Sequence, residues 1–362
     1  MDNLFFNTDI CGWGADGRSL RVLDQRLLPA QERYVELTTA DEVAEAIGKL
    51  CVRGAPLIGI AAAMGLVVAL RNTTLDYDES YEQFMARLHD AKEIIGSSRP
   101  TAVNLMWALD RMERCACGLS DRSVADILMC LHAEAQRIKD EDVATCMAIG
   151  TFGKELIGEG MGVLTHCNAG HLATGRYGTA LAPIYAAASD GKSFRVYADE
   201  TRPLLQGARL TAYELTRSGI DTTLVCDNMA ASLMAQGKVQ LVLVGCDRVA
   251  ANGDTANKIG TMGVAVLAHH FGIPFYVCGP LSSFDLHCPS GKQIVIEERQ
   301  GHEITDMWYR HPMAPEGVKT YNPAFDVTPI ELISGFVTEL GVINPRTLHE
   351  VLANCREMEG GR

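Results

Sequence analysis

Two side chains that can carry out acid–base chemistry follow short apolar segments of the chain. Cys167 comes directly after residues 162–166 and precedes the small residues 168–170, which would let a ligand approach closely. Asp247 ends the apolar run 241–246. A thiolate is a reactive base or nucleophile where positive charge or backbone N–H groups lower its pKa. A carboxyl beside apolar surface has a raised pKa, as a general acid near neutral pH requires. Cys167 and Asp247 are therefore the candidate catalytic residues.

Each of these two residues also has a structural alternative. Most of the twelve cysteines lie in apolar runs, where a reduced cysteine packs as a small hydrophobe. Cys167 differs because it lies beyond its apolar run, between His166 and Asn168. Asp247 is next to Arg248, but neighbours on an extended chain point to opposite faces, which disfavours an ion pair between them.

A lysine follows a polar turn late in the chain. We expect a helix over residues 255–270, with Asp254 or Thr255 as its N-cap. The helix dipole disfavours a lysine in the first turn unless the lysine faces an anion. Asn257 and Lys258 are therefore candidates for binding an anionic substrate, and the alternative for Lys258 is a solvated surface position.

Two arginines lie beside turn residues, and with Lys258 they would form a local positive site. Arg53 precedes Gly54, and Arg99 precedes Pro100. A phosphate needs such a site in a protein whose net charge is −13. The same net charge, with no basic block to offset it, argues against nucleic acid and anionic membranes as partners.

The second part of the chain alternates strand-like and helical segments. The sequence predicts strands at 162–166, 194–198, 222–226, 240–244 and 274–277, and helices at 179–188, 206–218, 229–236 and 255–270. This alternation is typical of an α/β fold with a doubly wound parallel sheet. Ligands of such sheets bind beyond the carboxyl ends of the strands, where Cys167 and Asp247 are expected.

The first part of the chain is predicted to be a small α/β domain. A short strand pair or arm is expected at 19–28, followed by helices at 39–49, 57–71, 81–95, 102–115 and 123–150. A turn at 96–100 separates two of these helices, and Ser123 is the expected N-cap of the last. From these patterns and the length of 362 residues, we expect an N-terminal domain at 1–125 and a catalytic domain at 126–362.

Motifs for common cofactors are missing from the sequence. The phosphate loop GxxxxGK[ST] does not occur, and no GxGxxG follows a predicted strand. Cys115 and Cys117 are too close for a CxxC zinc half-site, and His269-His270 is expected at a helix C-terminus. We expect neither a cofactor nor a metal.

A cytoplasmic location is expected from the apolar segments and the cysteines. The N-terminus lacks a basic segment followed by an apolar one. The apolar run 57–70 is too short to span a bilayer and is predicted to be a buried helix. Cysteines within apolar runs are typical of a reducing compartment.

Several long motifs lie between residues 23 and 343 and cover nearly the whole chain. They are Arg53-Gly54-Ala55-Pro56, Thr165-His166-Cys167-Asn168-Ala169-Gly170, Asp199-Glu200-Thr201-Arg202-Pro203, Gln206-Gly207-Ala208-Arg209-Leu210-Thr211-Ala212, Gly245-Cys246-Asp247 with Ala251-Asn252-Gly253-Asp254, Asn257-Lys258-Ile259-Gly260-Thr261 and Tyr321-Asn322-Pro323-Ala324-Phe325-Asp326. Together they resemble the methylthioribose-1-phosphate isomerases. The length of the blocks makes the resemblance specific.

The resemblance implies a Rossmann-like C-terminal domain, a homodimer and a place in methionine salvage. The implied reaction converts 5-methylthioribose 1-phosphate into 5-methylthioribulose 1-phosphate without a metal or nucleotide. Cys167 and Asp247 would be catalytic, with Asp247 as the proton donor. The residues implied to contact the sugar phosphate are Arg53, Gly54, Ala55, Arg99, Gln206, Asn257 and Lys258. Without the resemblance, Gln206 would be interpreted as the first turn of a helix.

The sequence departs from common family members after the catalytic cysteine. His171 and Gly175-Arg176 replace alanine and small residues, and Cys246 and Cys278-Gly279 replace alanines. The segment 171–177 is a candidate lining for the pocket around the sugar 5-position. Relatives that act on 5-deoxyribose 1-phosphate look similar overall, so both substrates stay open. The alternative for His171 and Arg176 is a solvated loop.

The sequence leaves two other functions as alternatives, a different sugar-phosphate isomerase and a non-catalytic regulatory subunit. A ribose-1,5-bisphosphate isomerase would need a second basic cluster, for which Arg176 is a single candidate. The sequence also resembles the regulatory subunits of the eukaryotic translation initiation exchange factor, which bind partners without catalysis. The joint presence of Cys167, Asp247 and Asn257-Lys258 favours the enzyme.

Overall fold

The computed structural model describes residues 9–73, 79–99 and 102–360. Pro100 and Thr101, which adjoin the predicted turn at 96–100, lie outside these residues. Among the described residues, the contacts divide the chain into two compact units. The N-terminal unit contains residues 9–146 and the loop His171–Gly178. The C-terminal unit contains residues 147–170 and 179–360.

The boundary between the two units lies between Cys146 and Met147, whereas the sequence predicted it between residues 125 and 126. The predicted boundary lies at the start of a continuous helix, α5 (Val124–Gly153), and most of this helix belongs to the N-terminal unit. The apolar pattern of a continuous helix does not change where the helix begins to pack against a different unit. The sequence therefore could not show that the boundary lies within α5. The loop His171–Gly178 joins the N-terminal unit through tertiary hydrogen bonds, which no local pattern reveals.

The N-terminal unit combines a small sheet with helices, as predicted. Its strands β1 (Cys11–Trp13), β2 (Leu20–Leu23) and β3 (Tyr34–Leu37) form an antiparallel meander in the order of the chain. The helices before α5 are α1 (Ala40–Gly48), α2 (Ala55–Thr73), α3 (Tyr81–Ser97) and α4 (Val103–Cys117). Ser123 accepts a hydrogen bond from the Asp126 N–H at 3.2 Å, which confirms it as a cap of α5.

The apolar helix α2 forms the core of this unit. By length and composition its 19 residues would reach across a membrane, so the helix is longer than the run 57–70 suggested. However, 78% of its most apolar window is buried, and every residue from Leu57 to Leu70 is enclosed by protein. A helix that is apolar all round and covered by protein is a core helix. The prediction of a buried helix is confirmed.

The C-terminal unit is built on a seven-stranded sheet with the order β14-β13-β10-β7-β4-β5-β6. Its strands are β4 (Gly162–Thr165), β5 (Arg195–Asp199), β6 (Thr222–Val225), β7 (Leu241–Val244), β10 (Phe275–Cys278), β13 (Gly335–Thr338) and β14 (Gly341–Ile343). All neighbours are parallel except β13 and β14. The predicted doubly wound parallel sheet is confirmed.

Apolar side chains cover both faces of this sheet. Along β7, Leu241 and Leu243 belong to one buried cluster, and Val242 and Val244 belong to another. Alternate residues of a strand point to opposite faces, so the two clusters lie on opposite sides. The helices of the unit are α6 (Ala182–Ser189), α7 (Ala212–Arg217), α8 (Ala230–Ala235), α9 (Thr261–Phe271), α10 (His302–Thr305) and α11 (Leu348–Gly360).

The predicted helix at 255–270 is wrong in its first part. Residues Thr255–Lys258 form strand β9, and α9 begins only at Thr261. β9 belongs to a second sheet with β8 (Arg248–Ala250), β11 (Phe284–Asp285) and β12 (Phe325–Thr328), in the order β11-β8-β9-β12. β9 is extended because it pairs with β12, far along the chain, and with the adjacent strand β8. The Asn252-Gly253 turn between β8 and β9 is a local hairpin signal that the helix prediction missed.

The expected caps of that helix have other roles. The Asp254 carboxylate accepts hydrogen bonds from the Gly291 N–H at 3.0 Å and the Ile330 N–H at 3.1 Å. The Thr255 hydroxyl donates to the Gly253 carbonyl at 3.1 Å. Lys258 therefore lies at the end of a strand and not in a first helical turn, so the dipole argument does not apply to it.

Candidate active site

The segments that carry Cys167 and Asp247 touch each other. β4 leads to Cys167 and β7 leads to Asp247, and these strands are neighbours in the sheet. Gly245 packs directly on Ala169, because a Cβ at Gly245 would lie only 2.6 Å from the Ala169 Cβ. The absence of a side chain at Gly245 lets the two strand ends approach, so the thiol and the carboxyl extend from adjoining backbone.

Cys167 is held in a conformation that is unusual for a residue with a side chain. Its φ is +64°, in the left-handed region, and the residue is 9% exposed. Its N–H donates to the Thr201 hydroxyl at 2.8 Å, and its carbonyl accepts from the Thr211 hydroxyl at 2.6 Å. Residues held in sparsely populated backbone regions cluster at functional sites. Two threonines from other elements thus fix the backbone that presents the thiol.

A buried polar network supports the residue after the cysteine. The Asn168 amide donates to the Thr211 hydroxyl at 3.1 Å and to the Glu214 carboxylate. Tyr185 donates to the same carboxylate at 3.0 Å, and burial raises the pKa of Tyr185 well above its ordinary value. Thr211 and Glu214 are fully buried. Networks of satisfied buried groups hold a segment in a single arrangement.

Gln206 lies at the start of a short π-helical turn, Gly207–Thr211. Such turns occur often at functional sites. Gln206 is 5% exposed, and its side-chain oxygen is buried without a hydrogen-bond partner among the described residues. An unpaired buried amide oxygen is costly unless a ligand completes it. The helical pattern of the sequence did not predict this buried, unpaired amide oxygen of Gln206.

Asp247 lies where the main sheet passes into the second sheet. Its N–H donates to the Ala256 carbonyl at 2.9 Å, and the residue is half-buried. The neighbouring Arg248 pairs with Asp285 at 3.7 Å. Arg248 therefore has a carboxylate partner on another strand, as expected if its side chain points away from Asp247.

Asn257 and Lys258 are both buried at the end of β9. The Asn257 amide donates to the Thr261 hydroxyl at 3.1 Å. The Lys258 ammonium donates to the Ala324 carbonyl at 3.0 Å and lies 4.4 Å from the centre of the Phe325 ring. Lys258 is 8% exposed, so the solvated alternative for this lysine is wrong. A buried lysine suits the binding of an anion.

A histidine next to the candidate catalytic cysteine belongs to a cluster that the sequence did not predict. Donor atoms of His166, Asp199 and Asp227 lie within 4.8 Å of one another. His166 Nδ1 lies 3.0 Å from Asp199, and Nε2 lies 2.9 Å from the Ile259 carbonyl oxygen. Both imidazole nitrogens already face protein acceptors, so a metal ion would have to displace Asp199 from Nδ1. The position of His166 directly before Cys167 was the only signal in the sequence.

The other predicted binding residues belong to the N-terminal unit. Gly54 has a φ of +99° and precedes α2, which begins at Ala55. A Cβ at Gly54 would lie 2.6 Å from Ala173, so this turn packs closely on the loop His171–Gly178. Arg53 and Arg99 are both partly buried. The structure therefore divides the predicted binding residues between the two units.

The loop His171–Gly178 is enclosed within the N-terminal unit. His171 is 2% exposed, so the solvated alternative for this residue is wrong, whereas Arg176 is half-buried beside the Tyr177 ring. Gln25 donates to the Leu172 carbonyl at 2.7 Å. The Gly175 N–H donates to the Asp142 carboxylate at 2.6 Å. The loop is thus fixed at two points by side chains of its own unit.

Asp142 makes the stability of the N-terminal unit dependent on pH. Burial raises the pKa of its carboxyl from 3.8 to about 7, and the hydrogen bond from Gly175 opposes this rise. The stability that this group contributes is complete below about 3.8 and is lost as the pH rises through about 7. Asp142→Asn keeps an acceptor for the Gly175 N–H but cannot ionise.

We expect Asp142→Asn to unfold at a higher temperature than the parent protein at pH 8. A rise in pKa from 3.8 to about 7 corresponds to a gain of about 4 kcal/mol at pH 8, and the gain should become small near pH 4. Thermal unfolding of both proteins from pH 4 to pH 8 measures this difference. Parallel pH profiles for the two proteins would contradict it.

Comparison with known proteins places these features in a family. Residues 51–345 match the Initiation factor 2 subunit family, which is more than half of the chain. The chain belongs to this family. The match begins before the Arg53-Gly54 turn and ends after the last strand of the main sheet, so both units of this family member are covered.

The family member is similar over nearly its whole length to two kinds of curated isomerase. It is 56% identical to the methylthioribose-1-phosphate isomerase of Symbiobacterium thermophilum, over 95% of this chain and 96% of that protein. It is 50% identical to the 5-deoxyribose 1-phosphate isomerase of Clostridium botulinum (strain Kyoto / Type A2), over 92% of this chain and 94% of that protein. The resemblance inferred from the motifs is confirmed.

A solved structure agrees with the fold. The 5-methylthioribose 1-phosphate isomerase of Pyrococcus horikoshii OT3 is 41% identical and has a TM-score of 0.89, over 98% of this chain and 97% of that chain. The expected fold class is therefore confirmed by comparison as well as by the sheet order.

Proposed function

We propose that this protein is an intramolecular aldose–ketose isomerase that converts 5-methylthioribose 1-phosphate into 5-methylthioribulose 1-phosphate. The observation that carries the proposal is the contact between the strand ends that present Cys167 and Asp247. The 56% identity to a methylthioribose-1-phosphate isomerase supports the same reaction. The reaction would serve methionine salvage.

The chemistry begins with ring opening. A phosphate on C1 prevents the free aldehyde from forming, so the sugar ring cannot open spontaneously. Asp247 donates a proton to the ring oxygen as the bond from C1 to that oxygen breaks. Asp247 lies half-buried shortly after the apolar strand β7.

Hydrogen must then pass from C2 to C1, and two routes achieve this with all atoms and electrons accounted for. In the first, the Cys167 thiolate removes the C2 proton, an enol phosphate forms between C1 and C2, and the proton is returned to C1. In the second, C2 passes a hydride to C1, and Cys167 stabilises the developing charge. In both, the 2-hydroxyl loses its proton and C2 becomes a ketone. The substrate and product are isomers at the same oxidation level, so neither route uses a redox cofactor.

The remaining predicted residues bind the sugar phosphate in this proposal. Lys258 supplies a buried positive charge, and Asn257 lies beside it on the same strand. Gln206 contributes an amide oxygen that lacks a protein partner among the described residues and so is suited to a sugar hydroxyl. Arg53, Gly54, Ala55 and Arg99 contribute the further contacts that the resemblance implies.

A second candidate substrate is 5-deoxyribose 1-phosphate. It is favoured by the 50% identity to a curated 5-deoxyribose 1-phosphate isomerase and by the unusual residues His171 and Arg176. The chemistry at C1 and C2 is the same for both sugars. The two candidates therefore differ only in the group at C5.

Incubation of the purified protein with each sugar phosphate tests the proposal. We expect ketose formation from 5-methylthioribose 1-phosphate, with a higher kcat/KM than for 5-deoxyribose 1-phosphate. The reverse order would assign the second substrate. No turnover of either sugar would contradict the isomerase and would favour a non-catalytic subunit.

The proposal includes a cytoplasmic homodimer. The cysteines that the structure describes are free thiols, as suits a reducing compartment. The homodimer is what the resemblance to the isomerase family implies. Light scattering should give twice the mass of the chain, and a monomer would contradict this part of the proposal.

A further inference from the structure

His166 is a buried residue with two hydrogen-bond acceptors on opposite sides of its ring. It is 2% exposed. Nε2 lies 2.9 Å from the Ile259 carbonyl oxygen, which can only accept, so Nε2 carries a hydrogen. Nδ1 lies 3.0 Å from the Asp199 carboxylate, so that contact also contains a proton, on one partner or the other. The ring therefore joins two elements of the C-terminal unit.

The charges around the imidazole ring favour a proton on the His166–Asp199 pair. Asp199 is the last residue of β5, Asp227 lies shortly after β6, and Asp326 lies on β12. Carboxyl groups from three parts of the chain therefore interact with His166. Burial opposes the charged imidazole, but the hydrogen bond and charge of Asp199, together with Asp227, raise the pKa of His166. Burial also raises the pKa of Asp199, against the effect of His166. The 3.0 Å contact therefore holds a proton between His166 and Asp199.

The two elements that His166 joins are those with the proposed catalytic and binding residues. Cys167 follows His166 directly, and Ile259 follows Lys258 directly. The close contact needs a glycine after Ile259, since a Cβ at Gly260 would lie 2.8 Å from the His166 ring. The imidazole is thus a bridge between the end of β4 and the end of β9.

We propose that His166 is a positioning residue that, with the proton it shares with Asp199, holds the Cys167 segment in register with Asn257 and Lys258. The inference deepens the proposed function, on which it rests. His166 need not touch the substrate. It acts through its neighbours, because its bond to Asp199 fixes the cysteine segment and its bond to Ile259 fixes the binding strand.

Two substitutions separate these bonds. His166→Asn places an amide near the former Nδ1 and can still reach Asp199, but it is too short for Ile259. His166→Gln extends towards the former Nε2 position and can still donate to the Ile259 carbonyl, but it loses Asp199. His269→Gln changes an exposed histidine on α9 and is the matched control.

We expect the two variants to change different kinetic constants. His166→Asn should raise KM about tenfold with little change in kcat, because the binding strand is no longer held. His166→Gln should lower kcat by about 10²-fold with little change in KM, because a misplacement of about 1 Å at the thiol has an effect of that size. His269→Gln should match the parent protein in both constants.

A second measurement does not depend on turnover. Alkylation of Cys167 by iodoacetamide, followed on its own peptide by mass spectrometry, should be several-fold faster in His166→Gln than in the parent or in His269→Gln. This result would support the inference even if the parent converted neither sugar. Unchanged alkylation together with unchanged kinetics would overturn it. The inference would also be overturned if both variants showed the same decrease in kcat and the same increase in KM, together with a lower Tm. That result would show that His166 has a merely structural role.

Discussion

Asp247→Asn is expected to abolish turnover while the affinity for the sugar phosphate changes little. The amide occupies nearly the same space as the carboxyl but cannot donate an acidic proton to the ring oxygen. Loss of a general acid lowers rates by about 10²- to 10⁴-fold. We expect kcat to fall towards the upper end of this range, because ring opening has no spontaneous alternative in a 1-phosphorylated sugar.

Steady-state kinetics and calorimetric titration measure the two parts of this prediction. Asp221→Asn is the control, since Asp221 is an exposed residue paired with Arg195 at 2.9 Å. Near-parental kcat in Asp247→Asn would show that another group protonates the ring oxygen. A large loss of binding would show that Asp247 holds the substrate and does not act on it chemically.

Cys167→Ala is expected to have the second largest effect. If the thiolate removes the C2 proton, kcat should fall by about 10²- to 10⁴-fold, since the base is lost. If the thiol only stabilises a hydride shift, the decrease should be smaller. Cys130→Ala, at an exposed position, is the control and should keep parental kinetics. Parental kinetics in Cys167→Ala would remove this residue from the mechanism.

Deuterium at C2 of the substrate decides which route applies. Complete retention of deuterium at C1 of the product supports a direct hydride shift. Exchange with water supports proton removal by the Cys167 thiolate. Nuclear magnetic resonance of the product distinguishes these outcomes in a single experiment.

The parts of the site that could be predicted are those encoded by local pattern. Short apolar runs predicted the first five strands of the main sheet. The rule that ligands bind beyond strand ends made Cys167 and Asp247 the candidate catalytic residues. Their neighbourhood in space depends on β4 pairing with β7, which a parallel sheet allows but does not require. Gly245 is the residue that brings the two ends into contact.

The parts that could not be predicted depend on contacts between distant residues. Lys258 lies opposite Phe325 of β12, so its place at the end of β9 depends on a strand far along the chain. The loop His171–Gly178 is fixed by Gln25 and Asp142, which no spacing rule connects to it. His166 gains its role from Asp199 and Ile259. Polar residues in loops carry little periodic signal, so their partners become visible only in the folded chain.

A crystal structure of Asp247→Asn with 5-methylthioribose 1-phosphate bound tests most directly whether Cys167 and Asp247 act on the same sugar. Cys167 Sγ should lie within about 3.5 Å of C2 of the sugar, as a reacting pair requires. The side chain at position 247 should lie within about 3 Å of the ring oxygen. A sugar that contacts only one of these side chains, or neither, would show that the two residues do not form one active site.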